Sequence, residues 1–418
     1  MQFDFTTAPD RRGHDALAVD SIGIDPTAPA APRPGFDAIP MWVADMSFKT
    51  CPAVTEAIGR RLAQPHFGYF EPSEEYLSAI VSWQRDRNGA ADLEPRHIGY
   101  ENGVLGGLVS ALAALASPGD AVLVHSPTYI GFTKSIANAG YRIVSSPLVL
   151  DEEGVWRMDF DDMERKLVES RAHVAVFCSP HNPCGRVWER AEIERAMEVY
   201  AAHDVMVISD EIWSDIIRPG LVHTPTQSVS DDARRRTVAL YAPSKTFSLA
   251  GLVGSYHIIY DDYLRDRVDA CASKSHYNMM NVLSMHALIG AYSEEGRAWA
   301  DELRAVIAEN VDRACDVIDE RFEGVEVVRS QGTYMIFPDC SAWCARHGKT
   351  LDGLLAAGWD VGVGWQDGRP FHGACNIRMN LALPAPRLEE ALDRLDRYAQ
   401  SISSFLHISK ASLSSSNS

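Results

Sequence analysis

Four short apolar runs limit this chain more than any other feature. Residues 121–124, 174–177, 205–208 and 237–240 are too short for buried helices and rich enough in β-branched side chains to be buried strands. Amphipathic stretches at 108–116, 161–170 and 191–203 separate them, the last with Ile193, Ala196, Met197 and Tyr200 on one face. Strand and helix in alternation predict an α/β fold, a mostly parallel sheet covered on both faces.

The pattern changes after about residue 281. A long helix-prone stretch from Glu294 toward Arg321, strand-like runs at 325–328 and 332–337, and a closing helix near 387–402 predict a smaller α+β domain. Five prolines between Pro26 and Pro40 forbid a helix there and predict an extended arm lying on another surface. The expected division is 1–50 as arm and part of the small domain, 51–290 as large domain, 291–402 as small domain and 403–418 as flexible tail, the Ser-rich segment 410–418 having almost nothing to bury.

Charge and cysteine content exclude several classes of function. A formal charge of −18 repels phosphate backbones and anionic lipid, which argues against nucleic acid and membrane as partners. No segment approaches the roughly 20 apolar residues of a membrane span, and residues 1–10 lack the regions of a signal peptide, so the expected compartment is the cytoplasm. Eight scattered cysteines without a CxxC pair read as reduced thiols. Cys340, Cys344 and His347 could supply three metal ligands, but no fourth is evident, and a helix with partly buried cysteines explains them; no metal is expected.

In an open parallel sheet, ligands gather beyond the carboxyl ends of the strands. Three of the runs are followed there by Ser179-Pro180-His181-Asn182-Pro183-Cys184-Gly185, by Ser209-Asp210-Glu211-Ile212-Trp213 and by Ala242-Pro243-Ser244-Lys245-Thr246-Phe247. Singly, Asn182 could start a turn, Asp210 could cap a helix and Lys245 could be a solvated lysine. Together an amide, a carboxylate and an amine suit pyridoxal phosphate (PLP). The amine holds the cofactor, the carboxylate keeps its pyridine nitrogen protonated, and the amide steadies the ring oxygen.

These segments, continued as Arg186-Val187-Trp188, Ser214-Asp215 and Ser248-Leu249-Ala250-Gly251-Leu252, resemble fold-type I PLP enzymes, specifically the cystathionine β-lyase-like carbon–sulfur lyases of the MalY/PatB group. Pro40-Met41-Trp42-Val43-Ala44-Asp45-Met46 resembles that group's arm motif, Phe67-Gly68-Tyr69 its subunit-bridging loop, and Arg378-Met379-Asn380-Leu381-Ala382 its substrate-carboxylate segment. The resemblance covers about residues 4–400 and implies a large domain with a mostly parallel seven-stranded sheet between helices.

It further implies that Lys245 holds PLP, Asp210 pairs with the pyridine nitrogen, Asn182 bonds the ring oxygen and Tyr129 stacks on the ring, with Trp213 beside the cofactor. Gly103, Val104 and Leu105 would offer backbone N–H groups to the phosphate, helped by Ser244 and by Tyr69 of a second subunit, which makes the expected assembly a homodimer with shared active sites. Arg378 would clamp the substrate carboxylate, with Trp42, Ala44 and Asn182 near the substrate. Taken alone, Gly103 to Leu105 could be a plain loop-to-helix junction, Tyr129 a packing aromatic and Arg378 an ion-pair arginine. His14, His125, His181 and His276 could line the site or simply pack.

The implied reaction is β-elimination of cystathionine or a related S-substituted cysteine to a thiol such as homocysteine, pyruvate and ammonia, a step of methionine biosynthesis. Lys245 is the expected base for the Cα proton and Tyr129 a candidate proton relay. An aminotransferase, or a PLP-bearing regulatory protein that docks on a partner, are the alternatives. Three positions depart from the group's pattern: Trp213 replaces a His or Tyr, Ser47 replaces an acidic residue, and Val253 stands where many aminotransferases place a phosphate-binding arginine.

Overall fold

The computed structural model describes residues 2–274 and 278–398; the expected tail at 403–418 lies outside the described residues, as does His276. The chain divides into two compact units. The first comprises residues 2–3, 50–305 and 331–333, the second residues 4–49, 306–330 and 334–398. The division falls within the 28-residue helix Glu294–Arg321, between Ala305 and Val306, and not ahead of that helix near residue 290.

The first unit is built on one sheet. Its strands are β1 Ile98–Asn102, β2 Ala121–Ser126, β3 Arg142–Leu150, β4 Trp156–Met158, β5 Val174–Cys178, β6 Met206–Asp210, β7 Thr237–Tyr241 and β8 Gly254–Ile258, in the order β1-β8-β7-β6-β5-β2-β3-β4. Strands β3, β2, β5, β6 and β7 are parallel, while β8 runs antiparallel between β7 and β1. The eighth strand, one more than the seven implied, arises because long β3 turns at Asp151–Gly154 and pairs back on itself as β4.

Alternation along the strands sorts their side chains to the two faces. Val122, Val124, Val176, Ile208 and Val238 pack with Leu108, Leu112, Phe132, Ile136 and Leu264 on one side. Leu123, Ala175, Phe177 and Val207 pack with Met163, Leu167, Ile193, Met197 and Tyr200 on the other. The expected helices appear as Val104–Leu115, Phe160–Ser170 and Arg190–Ala202. The first begins four residues earlier than hydropathy suggests, because its first turn, Val104-Leu105-Gly106-Gly107, follows Gly103, whose φ of +80° lets the chain turn sharply out of β1.

In the second unit, strand Ile377–Asn380 pairs antiparallel with both Met335–Ile336 and Gln366–Asp367. The expected strand at 325–328 is reduced to a single bridge at Glu326, and that at 332–337 to Met335–Ile336, since Gln331–Gly332 bonds instead to Gly185 in the first unit's own structure. The proline-rich arm is extended: Arg33 N–H donates to Asp360 O, and Ile39–Pro40 pairs parallel with Val363–Gly364.

Candidate active site

Register brings the segments that carry the three expected PLP-binding groups to one edge of the sheet. Cys178 of β5 lies opposite Asp210 of β6, and Asp210 lies opposite Leu240 of β7, so the loops leaving these strands emerge at one edge with Asn182, Asp210 and Lys245 on them. Ser179 N–H donates to Asp210 O at 2.9 Å. Because β1 runs in the same direction as β7, Gly103 and the start of helix Val104–Leu115 reach the same edge, as does Tyr129 beyond β2.

Asp210 is 5% exposed, and its Oδ1 accepts the Ile212 N–H at 3.0 Å. Burial pushes its carboxyl up to about 7 against the opposing pull of that N–H and of Lys245. A buried carboxyl so placed gains most from a cationic partner, which is what a protonated pyridine nitrogen provides. Lys245 Nζ sits 6.0 Å from the centre of the Trp213 ring, itself buried. Asn182 is buried as well, and Ser244 heads the turn containing Lys245, its carbonyl accepting the Leu249 N–H at 3.0 Å.

Tyr129 precedes helix Ile130–Asn138 and packs edge-on to Phe132, ring centroids 5.3 Å apart. A side chain at Gly131 would fall 2.3 Å from the Tyr129 ring, so glycine there is a steric requirement for that ring position. His181 Nε2–H donates to Pro127 O at 2.7 Å, tying the Asn182 loop to the Tyr129 loop. Burial lowers His181 to about 4 and His125, whose Nε2 meets the Tyr200 hydroxyl at 2.9 Å, to about 3, which favours the neutral ring in both. His14 is exposed.

Gly103, Val104 and Leu105, the expected donors of the phosphate cradle, form the start of helix Val104–Leu115 at this same sheet edge. Val253 lies within 3.5 Å of where a Gly103 Cβ would be and has φ +59°, an uncommon conformation for a β-branched residue. Where an arginine is common, this cradle carries an apolar side chain. Tyr69 is fully exposed, in a loop that also exposes Phe67.

The carboxylate-binding candidates form a set within the second unit. Arg378 is buried; its Nε and Nη2 donate to Gln366 Oε1 at 3.0 and 2.6 Å, Nη2 also donates to Trp42 O at 2.9 Å, and its guanidinium lies 4.3 Å from the Phe371 ring centre. Trp42 is fixed through its Nε1–H to Ala18 O, and Asn380 Nδ2 donates to Val43 O and Asp45 O on either side of Ala44. Gln366 and Phe371 carry no sequence motif. The partnership of Gln366 with Arg378 follows from strand register, the two lying opposite each other, while Phe371 comes from the helical turn Arg369–Phe371.

Among the described residues no group of three or more His, Cys, Asp or Glu could hold a metal ion. His347 stacks on Trp343, and Cys344 faces Cys375, a residue far from it in sequence, at 4.0 Å between sulfurs. No helix among the described residues is long and apolar enough to cross a membrane.

A sheet edge that gathers an amide, a carboxylate, a lysine and the start of a helix that follows a glycine defines a PLP-dependent enzyme of fold type I. The sequence profile of the family described as "Aminotransferase class I and II" matches residues 37–395, and the chain belongs to that family. It is 34% identical over 362 residues to "Cystathionine beta-lyase PatB" of Bacillus subtilis, covering 86% of this chain and 92% of that protein. To "Protein MalY" of Escherichia coli it is 28% identical over 400 residues, with 93% and 97% covered. Cystalysin from Treponema denticola, solved with its pyridoxal 5'-phosphate cofactor, superposes with a TM-score of 0.87 at 29% identity over 96% of this chain and 100% of that one.

Proposed function

We propose that the chain is a PLP-dependent carbon–sulfur β-lyase that cleaves cystathionine or a related S-substituted cysteine to a thiol, pyruvate and ammonia. The observation that carries this reading is the placement of Asn182, Asp210 and Lys245 on neighbouring strand ends, with Asp210 buried and its pKa raised to about 7. PLP, when bound, supplies an electron sink for the negative charge left at Cα. Lys245 would hold the cofactor until the substrate amine displaces it, and its freed amine would then take the Cα proton; Asp210 would oppose the charge on the pyridine nitrogen and Asn182 would donate to the ring oxygen. Arg378, held by Gln366 and packed on the Phe371 ring, supplies the positive charge that binds the substrate carboxylate, with Trp42 and Ala44 near the substrate. Thiolate leaves Cβ, and the unsaturated amine released hydrolyses to pyruvate and ammonia.

The same early steps serve an aminotransferase, and the family's own description keeps that reading in view. Free thiol and pyruvate appearing together from L-cystathionine supports the lyase; amino transfer to an added keto acid without thiol overturns it. The fully exposed Tyr69, with exposed Phe67 in the same loop, supports a homodimer in which Tyr69 of one subunit reaches the other's phosphate, and sedimentation of the holoenzyme tests it. Homocysteine as product would place the enzyme in methionine biosynthesis.

A further inference from the structure

The Lys245 loop has little regular structure of its own. Between Ala242 and Leu249 two backbone bonds form, Phe247 N–H to Pro243 O and Leu249 N–H to Ser244 O, and Ser248 has a φ of +53°. What holds the two residues after the lysine therefore contributes to its position. Phe247 is fully buried between Trp83 and Trp299, with ring centroids 6.0 and 5.3 Å away, and its carbonyl accepts the Thr50 hydroxyl at 2.6 Å. Thr246, also fully buried, donates its hydroxyl to Asp215 Oδ2 at 3.2 Å.

Asp215 is placed to do this without bringing an uncompensated charge near the site. Its Oδ1 accepts the Trp83 Nε1–H at 3.1 Å and lies 3.6 Å from Arg87 Nε, while Arg87 also pairs with Asp301. Trp83 is in turn clamped between Arg87 and Tyr292, the latter stacked at 4.4 Å. Asp215 follows Asp210 by five residues, and Thr246 follows Lys245 directly, so one hydrogen bond ties the loop bearing the carboxylate to the loop bearing the amine.

We propose that Asp215, acting through Thr246, is a positioning residue that sets the distance between Lys245 and Asp210, and that this inference rests on the PLP reading above. The pair acts on the cofactor lysine through backbone placement, and neither residue touches the reacting atoms.

The test uses PLP itself on the full chain stripped of cofactor. Thr246→Ser and Thr246→Ala both remove the methyl group and differ only in the hydroxyl. Thr246→Ala is expected to bind PLP about tenfold more weakly, the scale of one lost hydrogen bond to a charged acceptor, and to shift the pH at which the visible band of lysine-bound PLP titrates; Thr246→Ser stays within about twofold of the parent. Asp215→Asn moves both readouts in the same direction as Thr246→Ala. Equal behaviour of the Ser and Ala variants, or parent values in Asp215→Asn, overturns the proposal. If Asp215→Asn does not fold, the Thr246 pair decides alone. A parent chain that shows no visible band with added PLP sinks the cofactor reading instead, and that failure is seen before any variant is compared.

Discussion

The Lys245 amine lies 6.0 Å from the centre of the Trp213 indole, a geometry in which the ring face attracts the charged lysine. The resemblance implies a His or Tyr at this position, and Trp213 offers an aromatic face that cannot titrate. Trp213→Phe keeps that face and is expected to retain PLP binding within a few fold. Trp213→Ala empties a buried site, costs about 3–5 kcal/mol of stability and weakens PLP binding further. Thermal melting of the stripped and loaded chains separates the two effects, and equal PLP affinity in Phe and Ala variants counts against a role for the face.

Asp210 links stability to pH. Its folded pKa, about 7, stands above the ordinary 3.8, so the stripped folded chain holds a proton there that the unfolded chain has released. The stability it contributes is full below about pH 4 and lost as pH rises through 7, on the order of a few kcal/mol. Asp210→Asn is therefore expected to stabilise the stripped chain at pH 8 more than at pH 5 while weakening PLP binding. Calorimetry at the two pH values checks the sign; a stabilisation independent of pH contradicts it.

Arg378 is held by a side chain and a carbonyl that leave its planar fork rigid. Lysine cannot reproduce that geometry. Arg378→Lys should raise KM for an S-substituted cysteine by roughly tenfold or more with kcat changed less, the pattern for lost substrate binding. A fall in kcat alone, at constant KM, would point away from carboxylate binding.

Cys344 and Cys375 lie 4.0 Å apart between sulfurs, and closing to a disulfide requires about 2 Å of movement. Burial, with Cys375 next, raises the Cys344 thiol to about 11, leaving little thiolate at neutrality. With diamide, which takes up the two hydrogens, the crosslink is expected to form slowly at pH 7 and faster at pH 9, and not in Cys375→Ser. Mass spectrometry of the peptides decides; a pairing of Cys344 with Cys340 instead would show that the helix, and not the loop before Arg378, supplies the partner.

Tyr129→Phe keeps the ring that packs on Phe132 and removes only the hydroxyl. If that hydroxyl relays a proton, kcat should fall by about tenfold or more while PLP affinity is nearly unchanged. Full activity in the variant removes the relay role and leaves Tyr129 as a stacking group.

The amino-acid sequence by itself determined the alternation of strand and helix, and with it the strand ends where Asn182, Asp210 and Lys245 sit, because burial on both sheet faces writes unbroken apolar runs that end in polar residues. The run at 325–328 keeps only a single bridge and that at 332–337 only Met335–Ile336 as strand, since an apolar run does not say how far a partner strand extends beside it. Asp215 stands in the sequence as the third carboxylate of Ser209-Asp210-Glu211-Ile212-Trp213-Ser214-Asp215, but its role does not, because Thr246 and Trp83 are far from it in sequence. The same holds for Gln366 against Arg378 and for Cys375 against Cys344. Only the tertiary structure decided these pairings, because hydrogen bonds between distant segments depend on strand register and loop path, which leave no periodic signal in the chain.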